Sequence, residues 1–338
     1  MISLRFHSGL LFCLQIDGRT GGFILKKIIL TASVTFVLTM AFFITAAVYI
    51  AGSLFIDMAL KRGTLGDPKA PPAVFRSAIE GNGKAIKKAE RPEFKGAKWT
   101  MQSFDGLALK ATHFSPAAES HRWVIIVHGY GLGQEYIWDY AEEYLKAGYH
   151  AVTPDMRSSG SSEGMYLTMG ALESRDVNDW AREIRKRDSK AEILLHGVSM
   201  GAATVMLSAA QPAPGVDAVV EDSGYSGLKQ LFAEEIDKIL GIPAFPLLDI
   251  ADLCCENRAG FSFAEASPEH VVADVKIPVL FIHGDEDKLV PYNMMQELYT
   301  ACKAPGKQQY TAKGYPHAAA YQDKEYFPTV FRFADRNM

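Results

Sequence analysis

A serine with glycines two positions away on either side, Gly197-Val198-Ser199-Met200-Gly201, lies between an apolar run ending at His196 and a small-residue run beginning at Met200. That is G-x-S-x-G between an expected strand and an expected helix, the context in which a sharp turn lifts a serine hydroxyl off a sheet as a nucleophile. Side chains at 197 or 201 would collide across so tight a turn. The same turn puts the N–H of Met200 at a helix N-terminus, where it has no partner inside the helix and can bind an oxyanion. The pentapeptide alone is a weak signal, because serines in Gly-rich turns are common.

A serine hydroxyl attacks a carbonyl only when a base takes its proton and a third group orients the base. In a sheet of this type the chain order is serine, acid, histidine. Of the nine histidines only His317 follows the candidate acids, in Gly314-Tyr315-Pro316-His317-Ala318, a loop rich in breakers. His196 and His283 stand at strand ends and read as buried packing residues. The acid belongs in His283-Gly284-Asp285-Glu286-Asp287, where Asp285 and Asp287 compete. Asp222, at the end of an earlier strand, is a third candidate. No further carboxylates are spaced around this loop to hold a divalent metal. The second oxyanion donor is expected from His128-Gly129-Tyr130-Gly131-Leu132-Gly133, as the N–H of Tyr130. That loop has neither G-x-G-x-x-G nor G-K-[ST], so no nucleotide is expected.

These groups need a scaffold that brings them together. From Trp99 the chain alternates strands and helices. A hairpin is expected around Asp105-Gly106, with strands at 123–128, 150–153, 191–196, 217–221, 278–283 and 308–311. Helices are expected at 134–147, 172–187, 200–210, 293–303 and from Phe327. Strands apolar on both faces, alternating with helices, mean an α/β fold whose mostly parallel sheet is flanked by helices. Residues 223–270 interrupt the alternation. Leu228, Leu231, Phe232, Ile236, Ile239 and Leu240 fall at helical spacing, and a second apolar helix, Leu247 to Leu253, follows Pro243-Ala244-Phe245-Pro246. Such an insertion is expected to form a helical cap over the C-terminal edge of the sheet.

The 338 residues, 48% of them hydrophobic, supply a sizeable core, and a net charge of −4 argues against nucleic acid as a partner. Cys13, Cys254, Cys255 and Cys302 form neither a disulfide pattern nor a C-x-x-C pair. Residues 1–25 carry no periodicity, a disordered N-terminal segment is expected over 1–27, and Leu25-Lys26-Lys27-Ile28 reads as an alternative start. Ile28 to Ile56 contains no charged residue and exceeds the roughly 20 apolar residues that cross a bilayer. The expected layout is a transmembrane anchor over 28–60, a linker over 61–98 and the catalytic domain over 99–338. Ala73 to Ala89 could form a short basic amphipathic helix within the linker. Arg19, Lys26 and Lys27 balance Lys61, Arg62 and Lys69, so the flanking charges tie. A single-pass cell-membrane protein is expected, with its catalytic domain assigned to the extracytoplasmic side.

Several stretches, in this order and spacing, carry a resemblance. They are His128-Gly129-Tyr130-Gly131, Pro154-Asp155-Met156-Arg157-Ser158-Ser159-Gly160, Gly170-Ala171-Leu172-Glu173-Ser174-Arg175-Asp176, the serine pentapeptide, His283 to Asp287 with Val290-Pro291, and His317. Residues 99–338 resemble the α/β-hydrolase superfamily, nearest the bacterial branch related to prolyl-oligopeptidase-type peptidases, which includes membrane-anchored hydrolases. The resemblance implies the α/β-hydrolase fold. It places the acid at the fifth residue of H-G-x-x-D, which selects Asp287. It implies Ser199 as nucleophile, His317 as base, Tyr130 and Met200 as oxyanion donors, no cofactor, and a small acyl substrate, most simply a carboxylic ester. A peptidase and a catalytically inactive binding protein are the alternatives. Two positions depart from the family pattern: Ser158 replaces a glycine, and Pro316 replaces a small residue before the histidine.

Overall fold

The apolar run near the N-terminus forms helix α1 (Gly18–Leu60), of which Leu25–Leu60 is long and apolar enough to cross a membrane, with a mean hydropathy of 2.2 in its most apolar window. In the computed structural model, residues 18–63 and 96–338 are described. The expected alternative start at Leu25 lies within α1, and residues 18–27, expected to lack structure, are helical; the Ala73 to Ala89 segment lies outside the described residues. The chain divides into two compact units, 1–51 and 52–338. The division falls within α1, nine residues ahead of the boundary expected at 61, because Ile56, Ala59 and Leu60 are buried in the second unit's core.

The second unit is built on one eight-stranded sheet in the order β1-β2-β4-β3-β5-β6-β7-β8. The hairpin of β1 (Ala97–Gln102) and β2 (Ala108–Phe114) is antiparallel, and β2 runs antiparallel to β4 (His150–Asp155). From β4 onward the pairs are parallel: β3 (Arg122–Val127), β5 (Glu192–Val198), β6 (Val216–Asp222), β7 (Val279–Gly284) and β8 (Gln308–Ala312). The central strands are buried along nearly their whole length, as a sheet covered on both faces requires.

One face packs on α3 (Glu173–Arg187), α4 (Met200–Ala209) and α7 (Tyr292–Ala301), through Val177, Trp180, Val205, Met295 and Leu298 among others. The other carries α2 (Trp138–Lys146) and α8 (Tyr326–Asn337), through Tyr140, Tyr144, Val330 and Phe333. The insertion forms α5 (Leu228–Leu240) and α6 (Leu247–Ala259). Leu228, Leu231, Phe232 and Ile236 of the expected stripe are buried, whereas Ile239 is half exposed. Helix α6 runs a turn and a half past the expected Leu253, to a stop at Gly260 in the left-handed conformation. Its extension, Glu256-Asn257-Arg258, is polar and solvent-facing, so hydropathy could not extend the helix that far.

Candidate active site

The turn at Ser199 is as tight as its glycines imply. A β-carbon on Gly197 would lie 2.0 Å from the carbonyl oxygen of Gly201, and one on Gly201 would lie 2.1 Å from that of Val127. Ser199 itself adopts φ 59°, ψ −120°, a conformation that costs a non-glycine residue about 1–3 kcal/mol. The turn is held from its flank, where the N–H of Ser199 donates to the carbonyl of Asp222 at 2.8 Å. Its hydroxyl therefore projects beyond the C-terminal ends of β5 and β6, with Met200 opening α4 immediately behind it.

Ser199 Oγ is 2.8 Å from Nε2 of His317, and Nδ1 of the same ring is 2.7 Å from Oδ2 of Asp287. The other carboxylate oxygen, Oδ1, accepts the N–H groups of Leu289 and Val290, both at 2.9 Å. Burial alone would raise the pKa of Asp287. The charge of His317 and hydrogen bonds from His283 and His317 outweigh it and hold the carboxyl well below the usual range. The two other acid candidates are occupied elsewhere. Asp285 accepts the N–H of Gly314 at 2.6 Å, and Asp222 accepts the hydroxyls of Tyr326 (2.7 Å) and Ser223 (2.8 Å).

His283, read from sequence as packing, sits on the acid. Its Nε2 is 3.1 Å from Asp287 Oδ2 and 2.9 Å from the carbonyl of Val290. A carbonyl only accepts, so this nitrogen carries the proton and donates to both oxygens. Burial would lower its pKa, but the bond to Asp287, the charges of Asp287 and Glu221, and the Val290 carbonyl raise it. The signal was the i, i+4 spacing of His283 and Asp287. A turn after a strand brings such a pair together.

The loop after β3 closes over the serine: a β-carbon on Gly129 would lie 3.3 Å from that of Ser199. Its peptide is oriented by His128. The N–H of Met156 donates to His128 Nε2 at 3.1 Å, so the ring proton is on Nδ1, which donates to the Gly129 carbonyl at 2.8 Å. In a trans peptide the N–H points opposite to the carbonyl. The N–H of Tyr130 is therefore directed away from His128.

Asp155 and Arg157 tie down the neighbouring loop. Asp155 accepts the N–H groups of Gln134 and Ser161, and Arg157 forks onto Asp176 at 2.7 and 2.8 Å. Ser158, in place of the usual glycine, keeps the left-handed conformation at φ 60° and donates its hydroxyl to the Tyr166 carbonyl at 2.7 Å. Two hollows meet at Ser199. One is lined by Met169, Met200, Tyr225, Leu231, Phe232 and Val290, with Glu235 on its wall. The other, partly open to solvent, lies on the His317 side among Tyr136, Tyr140, Tyr321 and Asp139.

A family model described as X-Pro dipeptidyl-peptidase (S15 family) matches residues 105–235, and one described as Serine hydrolase (FSH1) matches residues 223–318. The uncharacterized protein YqkD of Bacillus subtilis is 30% identical over 241 residues, 70% of this chain and 78% of its own. Lysophosphatidylserine lipase ABHD12 of Macaca fascicularis is 25% identical over 231 residues. The match covers 64% of this chain, which spans only 56% of that relative. Among solved structures, the esterase Pf2001 of Pyrococcus furiosus aligns with a TM-score of 0.62 at 22% identity, covering 76% of this chain and 98% of that one. The acylaminoacyl peptidase of Pyrococcus horikoshii aligns with a TM-score of 0.55 at 18% identity, covering 72% and 41%. Likeness at these identities is likeness of fold.

Proposed function

The chain belongs to the α/β-hydrolase superfamily, among its serine hydrolases that cleave ester or other acyl bonds, and we propose that Ser199, His317 and Asp287 are its catalytic triad and a carboxylic ester its substrate. The observation that carries this reading is the unbroken line from Ser199 Oγ to His317 at 2.8 Å and on to Asp287 at 2.7 Å. His317 takes the serine proton as the hydroxyl attacks the carbonyl carbon, and Asp287 holds the imidazolium that results. The N–H groups of Tyr130 and Met200 receive the oxyanion, an interaction whose loss costs roughly 10²–10³ in turnover. The tetrahedral intermediate collapses to an acyl-enzyme as His317 protonates the departing alkoxide. Water, deprotonated by the same ring, then releases the acid.

The two hollows divide the substrate. The leaving group must lie within reach of His317, hence among the tyrosines. The acyl chain lies in the apolar hollow behind Met200. An ester with an apolar acyl chain and a polar alcohol fits this division, and alkoxides need less assistance to leave than amines. Helix α1 serves as a single-pass membrane anchor. A peptidase acting on peptides with proline is the second reading, favoured by the match of residues 105–235 to the X-Pro dipeptidyl-peptidase model.

A fluorophosphonate probe and p-nitrophenyl esters of graded chain length test the reading, beside an X-Pro p-nitroanilide. The expected outcome is labelling and ester hydrolysis by the native chain, both abolished in Ser199→Ala. Anilide turnover exceeding ester turnover favours the peptidase, and a folded but unlabelled native chain overturns both.

A further inference from the structure

The last turn of any helix leaves carbonyl groups without partners inside the helix. At the end of α1 the catalytic unit supplies those partners. The carbonyl of Ala59 accepts the phenol hydroxyl of Tyr130, and that of Leu60 accepts the N–H of Leu167 at 2.9 Å. Side chains add to the grip. Asp57 receives Arg258 at 2.7 Å and the hydroxyl of Tyr166 at 2.9 Å. Phe55 packs edge-on against Phe232, with ring centres 5.6 Å apart. Arg62 donates to the carbonyls of Ser162, at 2.6 Å, and Gly160. Ile56, Ala59 and Leu60 are buried in one cluster with Tyr130, Met169, Met200 and Phe232, residues that line the apolar hollow.

We propose that Tyr130 is a positioning residue anchored on the Ala59 carbonyl, so that the C-terminal end of α1 helps set the oxyanion donor. This rests on the assignment of the Tyr130 N–H as that donor. The Gly129–Tyr130 peptide is clamped at two points that belong to different parts of the fold. His128 holds its carbonyl from the β3 side, and the phenol hydroxyl ties the next residue to the helix end. Freeing either clamp lets the N–H turn away from the position the oxyanion takes, and small misplacements of such donors are costly. The tie affects the transition state more than the bound ester, whose carbonyl carries little charge.

The test uses the full chain in detergent and a soluble short-chain p-nitrophenyl ester. Tyr130→Phe keeps the backbone N–H and the ring and removes only the hydroxyl. It is expected to lower kcat about fivefold, the scale of one neutral hydrogen bond, with KM within about twofold and an unchanged pH profile. Asp57→Ala loosens the helix end from Arg258 and Tyr166 without touching Tyr130, and is expected to lower kcat about twofold in the same way. An unchanged kcat in Tyr130→Phe, or a loss confined to KM, overturns the proposal and leaves Tyr130 a pocket wall. A fall in Tyr130→Phe with none in Asp57→Ala overturns the part played by the helix end. Ser199→Ala separates the two readings: if it retains turnover the triad itself is wrong, whereas if it is inactive while Tyr130→Phe is fully active only this inference fails.

Discussion

Two strand ends in the same sheet each bury a histidine, and the two are wired oppositely. At the end of β5, His196 lies between hydroxyls. Tyr144 donates to its Nδ1 at 2.8 Å, its Nε2 donates to Tyr326 at 2.9 Å, and Tyr326 donates on to Asp222. The ring is fully buried and neutral, its pKa pushed down to about 3 by burial. At the end of β7, His283 is also fully buried but faces Asp287 and a backbone carbonyl, and its pKa is raised. Burial is the same in both places, so the sign of the shift is decided by whether the partner carries charge. A carboxylate wrapped in hydroxyls, as Asp222 is, belongs to the scaffold. A carboxylate sharing an oxygen with two imidazoles, as Asp287 does, can stabilise a charge that appears and disappears on His317.

The largest effect that tests this contrast comes from the charged end. Asp287→Asn keeps the shape but removes the charge both rings depend on, and kcat is expected to fall about 10⁴-fold. A loss near that of Asp222→Asn would erase the distinction. The next effect is on stability. A neutral buried His196 takes up its proton only on unfolding. Stability is therefore fully present above the unfolded pKa near 6.5 and falls with pH toward about 3, by about 1.4 kcal/mol per pH unit for one proton. Urea unfolding of the native chain and of His196→Phe across that range measures it. The variant is expected to be less stable at pH 7, with two tyrosine hydroxyls left without the ring, but to lack this share of the slope. The smallest effect has the opposite sign. The raised pKa of His283 gives stability that is complete below about pH 6.5 and is lost as pH rises through the folded value. His283→Gln should remove that alkaline decline and lower kcat about tenfold, the scale of one hydrogen bond to a charged group. Parallel pH–stability curves for the two histidine variants would break the comparison.

Much of this was legible in the sequence. The alternation of apolar runs gave the order of strands and helices, and the serine pentapeptide with its following small residues gave the elbow. Chain order alone picked His317. Between Asp285 and Asp287 the residues themselves were silent, since both sit in one short loop, and only the family pattern chose. The role of His283 was missed because a histidine at a strand end looks like His196 until its partner is known. The docking of 52–63 was missed for a different reason. Hydropathy gives the same value to an exposed side chain and to one packed against protein, so Ile50, more than half exposed, and Ile56, fully buried, look alike in the sequence.

That likeness matters to anyone who wants the hydrolase as a soluble piece. The basic pair Lys61-Arg62 invites a cut just before it, where the apolar run ends. Such a cut discards Ile56, Ala59 and Leu60, all without exposed surface. Each large apolar side chain among them is worth roughly 1.5–3 kcal/mol when buried, against a total stability on the order of 5–15 kcal/mol for a whole domain. The shortened protein would be born with a hole in its wall, and the productive scissors fall upstream of Gly52.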